Sequence, residues 1–363
     1  MVEGKEIYVL CTALVSGSLA AHFVIECSCS IYTAYSISSV SCLLLAIIAS
    51  LSTFDFLAGK TQVVCNPVLW TATFVIIGIF CYSTRKLNLC AVVPKEHFSG
   101  AYSFITRTIQ QIPFKDNESN AIVQALITGN RYALQRRTVM EFRTAGASHF
   151  LALSGMHLGI IYVLIDKLLF VIGNSFISRK IRQSIIIVLT LLYTMVCGGS
   201  ASLVRSWLFI LTGGLGLILD RRQSLQQIYC SSLILHIVFQ SENVSDIGFQ
   251  LSYLAMAGIT FIWPAMKGWM EGRVWQAASL SICCQICTAP LTYLYFGTFP
   301  KYFLITNLAG GPLLSIVMIC SITACVVQMI HPGCTLTAEI CEIPIKTLRE
   351  LMSNIAGMDT SPY

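Results

Sequence analysis

The chain has 363 residues, of which 55% are hydrophobic and 11% charged, with a formal net charge of +6. Soluble globular domains carry about 25% charged residues, so this composition, with a mean hydropathy of +0.73, excludes that class. It is the composition of an integral membrane protein, and an all-α, polytopic fold is expected.

Crossing a hydrocarbon core takes about 20 apolar residues. About ten runs qualify, near residues 7–25, 36–54, 68–83, 148–172, 184–199, 202–219, 225–240, 246–265, 274–297 and 302–330. The first has Lys5 as its only leading base and no Ala-x-Ala cleavage pattern, so it reads as an anchor rather than a cleaved signal peptide. Short-loop charge sets orientation. Arg179, Lys180 and Arg182 share a side with Arg221, Arg222, Lys267 and Arg273, whereas the alternate loops hold Glu242 and Asp246 or the lone Lys301. The basic side is read as cytoplasmic. Ten spans then put both termini there and turn residues 84–146 outward.

Segment 84–146 has no run of alternating strands and reads as basic amphipathic helices. It holds nine basic residues (Arg85, Lys86, Lys95, Arg107, Lys115, Arg131, Arg136, Arg137, Arg143) against four acids (Glu96, Asp116, Glu118, Glu141), a surplus of five. Such a surface concentrates phosphate polyanions and binds them by counterion release. Resting on anionic lipid headgroups is the alternative. Arg131, Arg136, Arg137 and Arg143 are the candidates for attracting an anion.

The next run opens with "ASHFLALSGMHLGIIYVLI", two histidines and a serine at the head of a membrane helix. His149 and His157 are eight residues apart, about 12 Å along a straight helix. A continuous helix therefore cannot bring both to one zinc. Ser154 and His157, three apart, are neighbours. "ALSGMH" faintly resembles the Ser-Gly element of intramembrane serine proteases, but Ala152 replaces the leading glycine, and a base from another helix would have to be His236. The remaining reading is a helix broken near Ser154-Gly155, with polar side chains and freed amides facing a cavity. Amides at a half-helix N-terminus favour anions.

Later runs carry polar groups that lipid-facing helices do not need. Arg205 falls inside "GGSASLVRSWLFILTGGLGLIL" behind small residues that include Ser202, and an arginine at such depth faces protein or water. Gln250 and Ser252, Gln285 and Pro290, and Asn307 with Gly310-Gly311-Pro312 put amides and helix breakers at membrane depth. Broken or re-entrant helices of this kind line cavities. Most of the sixteen cysteines sit in apolar runs and act as small hydrophobes. Cys283, Cys284 and Cys287 have CxxC spacing without a second pair, so helix packing is expected and no metal or other cofactor.

"SHFLALSGMHLGII" closely resembles the "HLLAxSGxHV" signature of the ComEC family of competence proteins. "ALITGNR" (125–131), "GGSASLVRSWL", "DIGFQLSYLAMAGI" and "QICTAPLTYLYFGTFPKYFLITNLAGGPL" resemble its other segments, in the family's order, over about residues 120–330. The resemblance implies a channel carrying single-stranded DNA through the bacterial inner membrane during natural transformation. It implies a path bordered by His149, Ser154, Gly155, His157, Ser202, Arg205, Gln250, Ser252, Gln285, Pro290 and Asn307. It further implies a DNA receptor on the outer side and a cytoplasmic helicase or ATPase, since the chain has no P-loop GxxxxGK[ST].

Larger family members carry an OB-fold-like domain and commonly a metallo-β-lactamase-like domain. Here no HxHxDH follows His331. The chain is therefore read as the membrane core: N-terminal transmembrane helices (1–83), an extracytoplasmic basic segment (84–146), a competence-type channel domain (147–330) and a tail (331–363) able to lie on the membrane or dock a partner. No enzymatic activity is expected, and a nuclease would be a separate protein. A small-anion transporter is the runner-up; an intramembrane hydrolase using Ser154 comes third. The sequence does not give the oligomeric state.

Overall fold

The computed structural model describes residues 6–28, 31–57, 67–86, 98–268, 272–297 and 299–358, and every regular element among them is helical. Lys5, Lys95 and Glu96 lie outside these residues. In chain order the helices are α1 (Glu6–Ser28), α2 (Ile31–Leu57), α3 (Pro67–Lys86), α4 (Ser99–Gln110), α5 (Asn117–Thr128), α6 (Arg136–Thr144) and α7 (Gly155–Leu168). There follow α8 (Phe176–Val196), α9 (Ala201–Ile218), α10 (Leu225–Gln240), α11 (Ile247–Lys267), α12 (Arg273–Phe296), α13 (Phe303–Ile330) and α14 (Thr335–Gly357).

Seven of them, α1, α3, α7 with its 3₁₀ extension to Ile172, α9, α11, α12 and α13, are long and apolar enough to cross a membrane. Of the ten runs expected, two fall short of that standard for physical reasons: helix α8 carries Arg179, Lys180 and Arg182 in its first two turns, and α10 has 16 residues. The run expected at 36–54 lies in α2, whose side chains from 49 to 57 are outside those described.

The chain divides into two compact units. One comprises Met1–Val93 and Arg221–Tyr253. Within it α1 and α3 run parallel, as three bonds at a constant offset of 60 residues require: Ser18 Oγ donates to Gly78 O (3.2 Å), His22 Nδ1 meets Tyr82 OH (2.6 Å) and Lys86 pairs with Glu26 (2.5 Å). Gly17 and Gly78 permit this approach, because a Cβ on either would collide with the backbone of the other helix.

The other unit comprises Pro94–Asp220 and Leu254–Tyr363. Its largest core joins α4, α5 and α6 to the turn before α7 and to α13 and α14, around Phe142, Phe150, Leu126, Leu314, Met318 and Met352. Helix α5 is buried along nearly its whole length; the Asp116 side chain caps it by accepting from Glu118 N (3.1 Å), and Gly129 closes it at φ 77°. The tail is therefore no helix lying on lipid. It folds back antiparallel along α13, bringing Met352 against Gly310 and letting Tyr302 OH donate to Met358 O (3.0 Å). Met358 thus ends level with the start of α13, and of the two readings of the tail, lying on the membrane or docking, the structure shows a helix packed on protein.

Helices α11 and α13 each contain one wide π turn, Gly258–Ile262 and Thr306–Gly310. A proline stands two residues after each, Pro264 and Pro312. Proline has no N–H for the carbonyl four residues back and crowds it, and a wider turn relieves both.

Candidate anion site at a broken helix

Helix α6 ends at Gly146 (φ 77°), and the chain turns tightly: Ala147 N donates to Phe142 O (2.7 Å) and Phe150 N to Ala147 O (2.9 Å). The turn rests on the start of α13, where Thr306 Oγ1 donates to Ala145 O (2.5 Å) and Gly310 leaves room for the Phe150 ring. An extended Ser154 (φ −129°, ψ 174°) then leads into α7, which starts at Gly155. The helix break expected near Ser154-Gly155 is where the chain changes direction.

His157, one turn into α7, seals the break. Its Nδ1 accepts from Ser154 N (3.3 Å) and meets Ser154 Oγ at 2.9 Å. With Nδ1 accepting from the amide, the ring carries its proton on Nε2. His157 is fully buried, and beyond the Ser154 bonds its ring faces the Phe150 backbone, to which Nε2 makes no full hydrogen bond among the described residues.

His149 stands near His157. The break, not a straight helix, sets their relation, so the 12 Å separation does not apply. His149 is solvent-exposed, with the Asn307 side chain and the Gly146 backbone in hydrogen-bonding reach of its ring. Asn307, in the π turn of α13, directs a buried Oδ1 that finds no full hydrogen bond among the described residues.

Arg205, on α9, reaches the same place. It is 6% exposed, and its Nη2 lies 3.5 Å from Ser206 Oγ. A Cβ on Gly155 would stand 3.3 Å from that Nη2 and 2.9 Å from Ser206 Oγ, so the guanidinium lies against the first residue of α7. A helix N-terminus and a guanidinium both present positive potential. Together they are complementary to an anionic oxygen. Ser202 stands behind, its carbonyl accepting from Ser206 Oγ (2.7 Å).

The remaining candidates are dispersed. Gln285 is half-buried and Pro290 exposed on α12. Gln250 and Ser252 belong to the other unit, where Gln250 Nε2 donates to Val244 O (2.9 Å) and steadies the start of α11. His236, the base a serine protease would need, is in that unit too, with its Nδ1 3.2 Å from Tyr253 OH. Cys283 Sγ lies 3.3 Å from Met266 Sδ and Cys284 Sγ 3.7 Å from Ala255 O, contacts of helix packing. Among the described residues no three His, Cys, Asp or Glu side chains converge as metal ligands.

The four arginines expected to gather an anion differ in their engagements. Arg131 Nε donates to Leu151 O (2.9 Å) and acts as a strut, Arg137 pairs with Glu141 (2.8 Å), and Arg136 and Arg143 are exposed. Thr306 and Phe150, which with Gly310 hold the turn against α13, were not singled out from sequence. Nothing local marks them, because their partners are about 160 residues away.

A family model described as Competence protein matches residues 126–363. ComE operon protein 3 of Bacillus subtilis (strain 168) is 26% identical over 223 residues, covering 60% of this chain and 28% of that protein. The match thus spans little more than a quarter of that relative's length. No solved structure matches.

Proposed function

The chain belongs to the competence protein family, and from that premise we propose that it forms the path by which single-stranded DNA crosses the bacterial inner membrane. The observation that carries the reading is the broken α7: its N-terminus at Gly155 lies against the guanidinium of the buried Arg205. In a low-dielectric setting such donors favour a phosphate oxygen strongly. The exposed arginines of the 84–146 segment would collect the strand beforehand. An outer DNA receptor and a cytoplasmic helicase or ATPase belong to this reading, with strand degradation left to a separate nuclease.

DNA internalisation by competent cells carrying Arg205→Ala tests it. Loss of a charge-assisted contact to phosphate should lower uptake roughly tenfold or more, with the protein still present in the membrane. Unchanged uptake after deletion of the gene would sink the proposal. Flux of inorganic phosphate through proteoliposomes, without DNA translocation, would favour the small-anion transporter.

One contact favours a second reading, an intramembrane hydrolase: Ser154 Oγ and His157 Nδ1 are within hydrogen-bond distance. Against it, that nitrogen also accepts from the Ser154 amide, and no full hydrogen bond among the described residues orients the ring through Nε2. Cleavage of a membrane protein by wild type and not by Ser154→Ala would establish this alternative.

A further inference from the structure

Tyr132 follows α5 in a loop that the chain secures on every side. Gly129 turns the chain at φ 77°, with Leu153 packed where its Cβ would be, and Tyr193 OH donates to Ile127 O (2.7 Å) just before it. Asn130 Oδ1 accepts from Tyr132 N (3.0 Å), closing an Asx turn. Arg131 Nε donates to Leu151 O (2.9 Å), and buried Glu118 accepts from Gln135 N (3.2 Å). Asn130, Arg131 and Gln135 are tied down around it, yet Tyr132 itself is 99% exposed.

Its neighbourhood is cationic. Arg136 and Arg143 are exposed and hold no carboxylate among the described residues, while Glu141 is taken by Arg137 (2.8 Å) and Ser353 Oγ (3.2 Å) and Glu118 is buried. The anchors of the loop, Leu151 and Leu153, immediately precede Ser154. A rigid, exposed aromatic ring amid arginines, on the approach to the anion site, is the combination that binds unpaired nucleobases: the ring stacks on a base and the cations hold the backbone.

We infer that Tyr132 is the base-stacking contact through which a single strand is taken up toward the broken helix. The inference rests on the single-stranded DNA reading above. It assigns the bases, not only the phosphates, a role in recognition, and it predicts tolerance of sequence, since every base has a π-face.

The full chain, purified in detergent, is titrated against a labelled oligo-thymidine and against an abasic strand of equal length. Wild type should bind the thymidine strand roughly five- to tenfold more tightly than the abasic one, the effect of a single stack. Tyr132→Ala should erase that difference and leave abasic binding unchanged; Tyr132→Phe should retain it. A base preference that survives Tyr132→Ala overturns the inference while leaving the DNA reading in place. So does an equal loss on both strands, which would mark the ring as a structural or lipid anchor. Absence of any binding by wild type overturns both.

Discussion

Gly155 leaves no space for a methyl group that does not displace something functional. Alanine there would press on Ser206 Oγ and the Arg205 guanidinium, at 2.9 and 3.3 Å, whereas Gly159, one turn later, has nothing within 4 Å of its Cβ direction. Both positions have ordinary helical backbone, so propensity alone favours alanine at each by about 0.5–1 kcal/mol. Gly155→Ala is therefore expected to lower DNA uptake several-fold with little change in thermal stability, and Gly159→Ala to leave uptake intact. Comparing uptake with melting temperature for the pair separates site from scaffold. Sequence made the Ser154–His157 neighbourhood legible because both residues lie in one turn, and it flagged Arg205 because charge at membrane depth is conspicuous. It passed over Tyr132: a lone tyrosine in a polar loop has no periodicity to betray it, and its exposure follows from bonds to Leu151 and Glu118, 20 and 17 residues from the loop positions they fix.

Between helices, one carboxylate ties the basic segment to the tail. Buried Glu342 on α14 accepts from Asp116 N (2.9 Å), Lys115 N (3.2 Å) and Lys346 Nζ (3.0 Å), and Arg349 pairs with Asp116 (2.6 Å). Burial alone would push both acids up, but the bonds to the charged forms outweigh it and hold them below their ordinary values of 4.5 for Glu342 and 3.8 for Asp116. A carboxylate depressed in the folded state contributes stability above its ordinary pKa and loses it as pH falls through the folded value. Melting temperature should accordingly hold from neutral pH to near 4.5 and fall below it. Glu342→Gln should lower the neutral plateau and shorten that acid decline, as thermal denaturation across pH would show. The π turns make a second prediction at this scale. A Cβ on Gly258 would lie 2.5 Å from Cys283 O, so Gly258→Ala must part α11 from α12. Overpacking of that kind costs about 1–3 kcal/mol, readable as a lower melting temperature, while Gly311→Ala, in open space, should be silent. The prolines behind these turns were visible in the sequence. The wide turns were not, because whether a proline kinks, breaks or widens a helix depends on the helix beside it.

At the scale of the whole chain, helices α4 to α6 of the basic segment and α14 of the tail enter one core with α13, through Phe142, Leu126, Met318 and Met352. Hydropathy cannot reveal this, since half of the tail's residues are polar and its buried stripe of Ala338, Cys341, Ile345, Leu348 and Met352 resembles a lipid-facing one. Removing α14 should leave α13 and α5 uncovered, and a chain ending before Thr335 is expected to be degraded rather than accumulate in membranes, as immunoblotting of membrane fractions would show. Loop charge and the expected span count predict that epitopes placed after Met358 and at Arg221-Arg222 are both shielded from antibody outside intact spheroplasts. Labelling of either one from outside would reverse that orientation.

The seal between Ser154 and His157 joins groups only three residues apart, and nothing outside that turn is needed to keep it closed. A break held by distant partners would come undone whenever helices shifted against one another; this one is closed within a single turn and keeps its form when α9 or the π turn of α13 is altered.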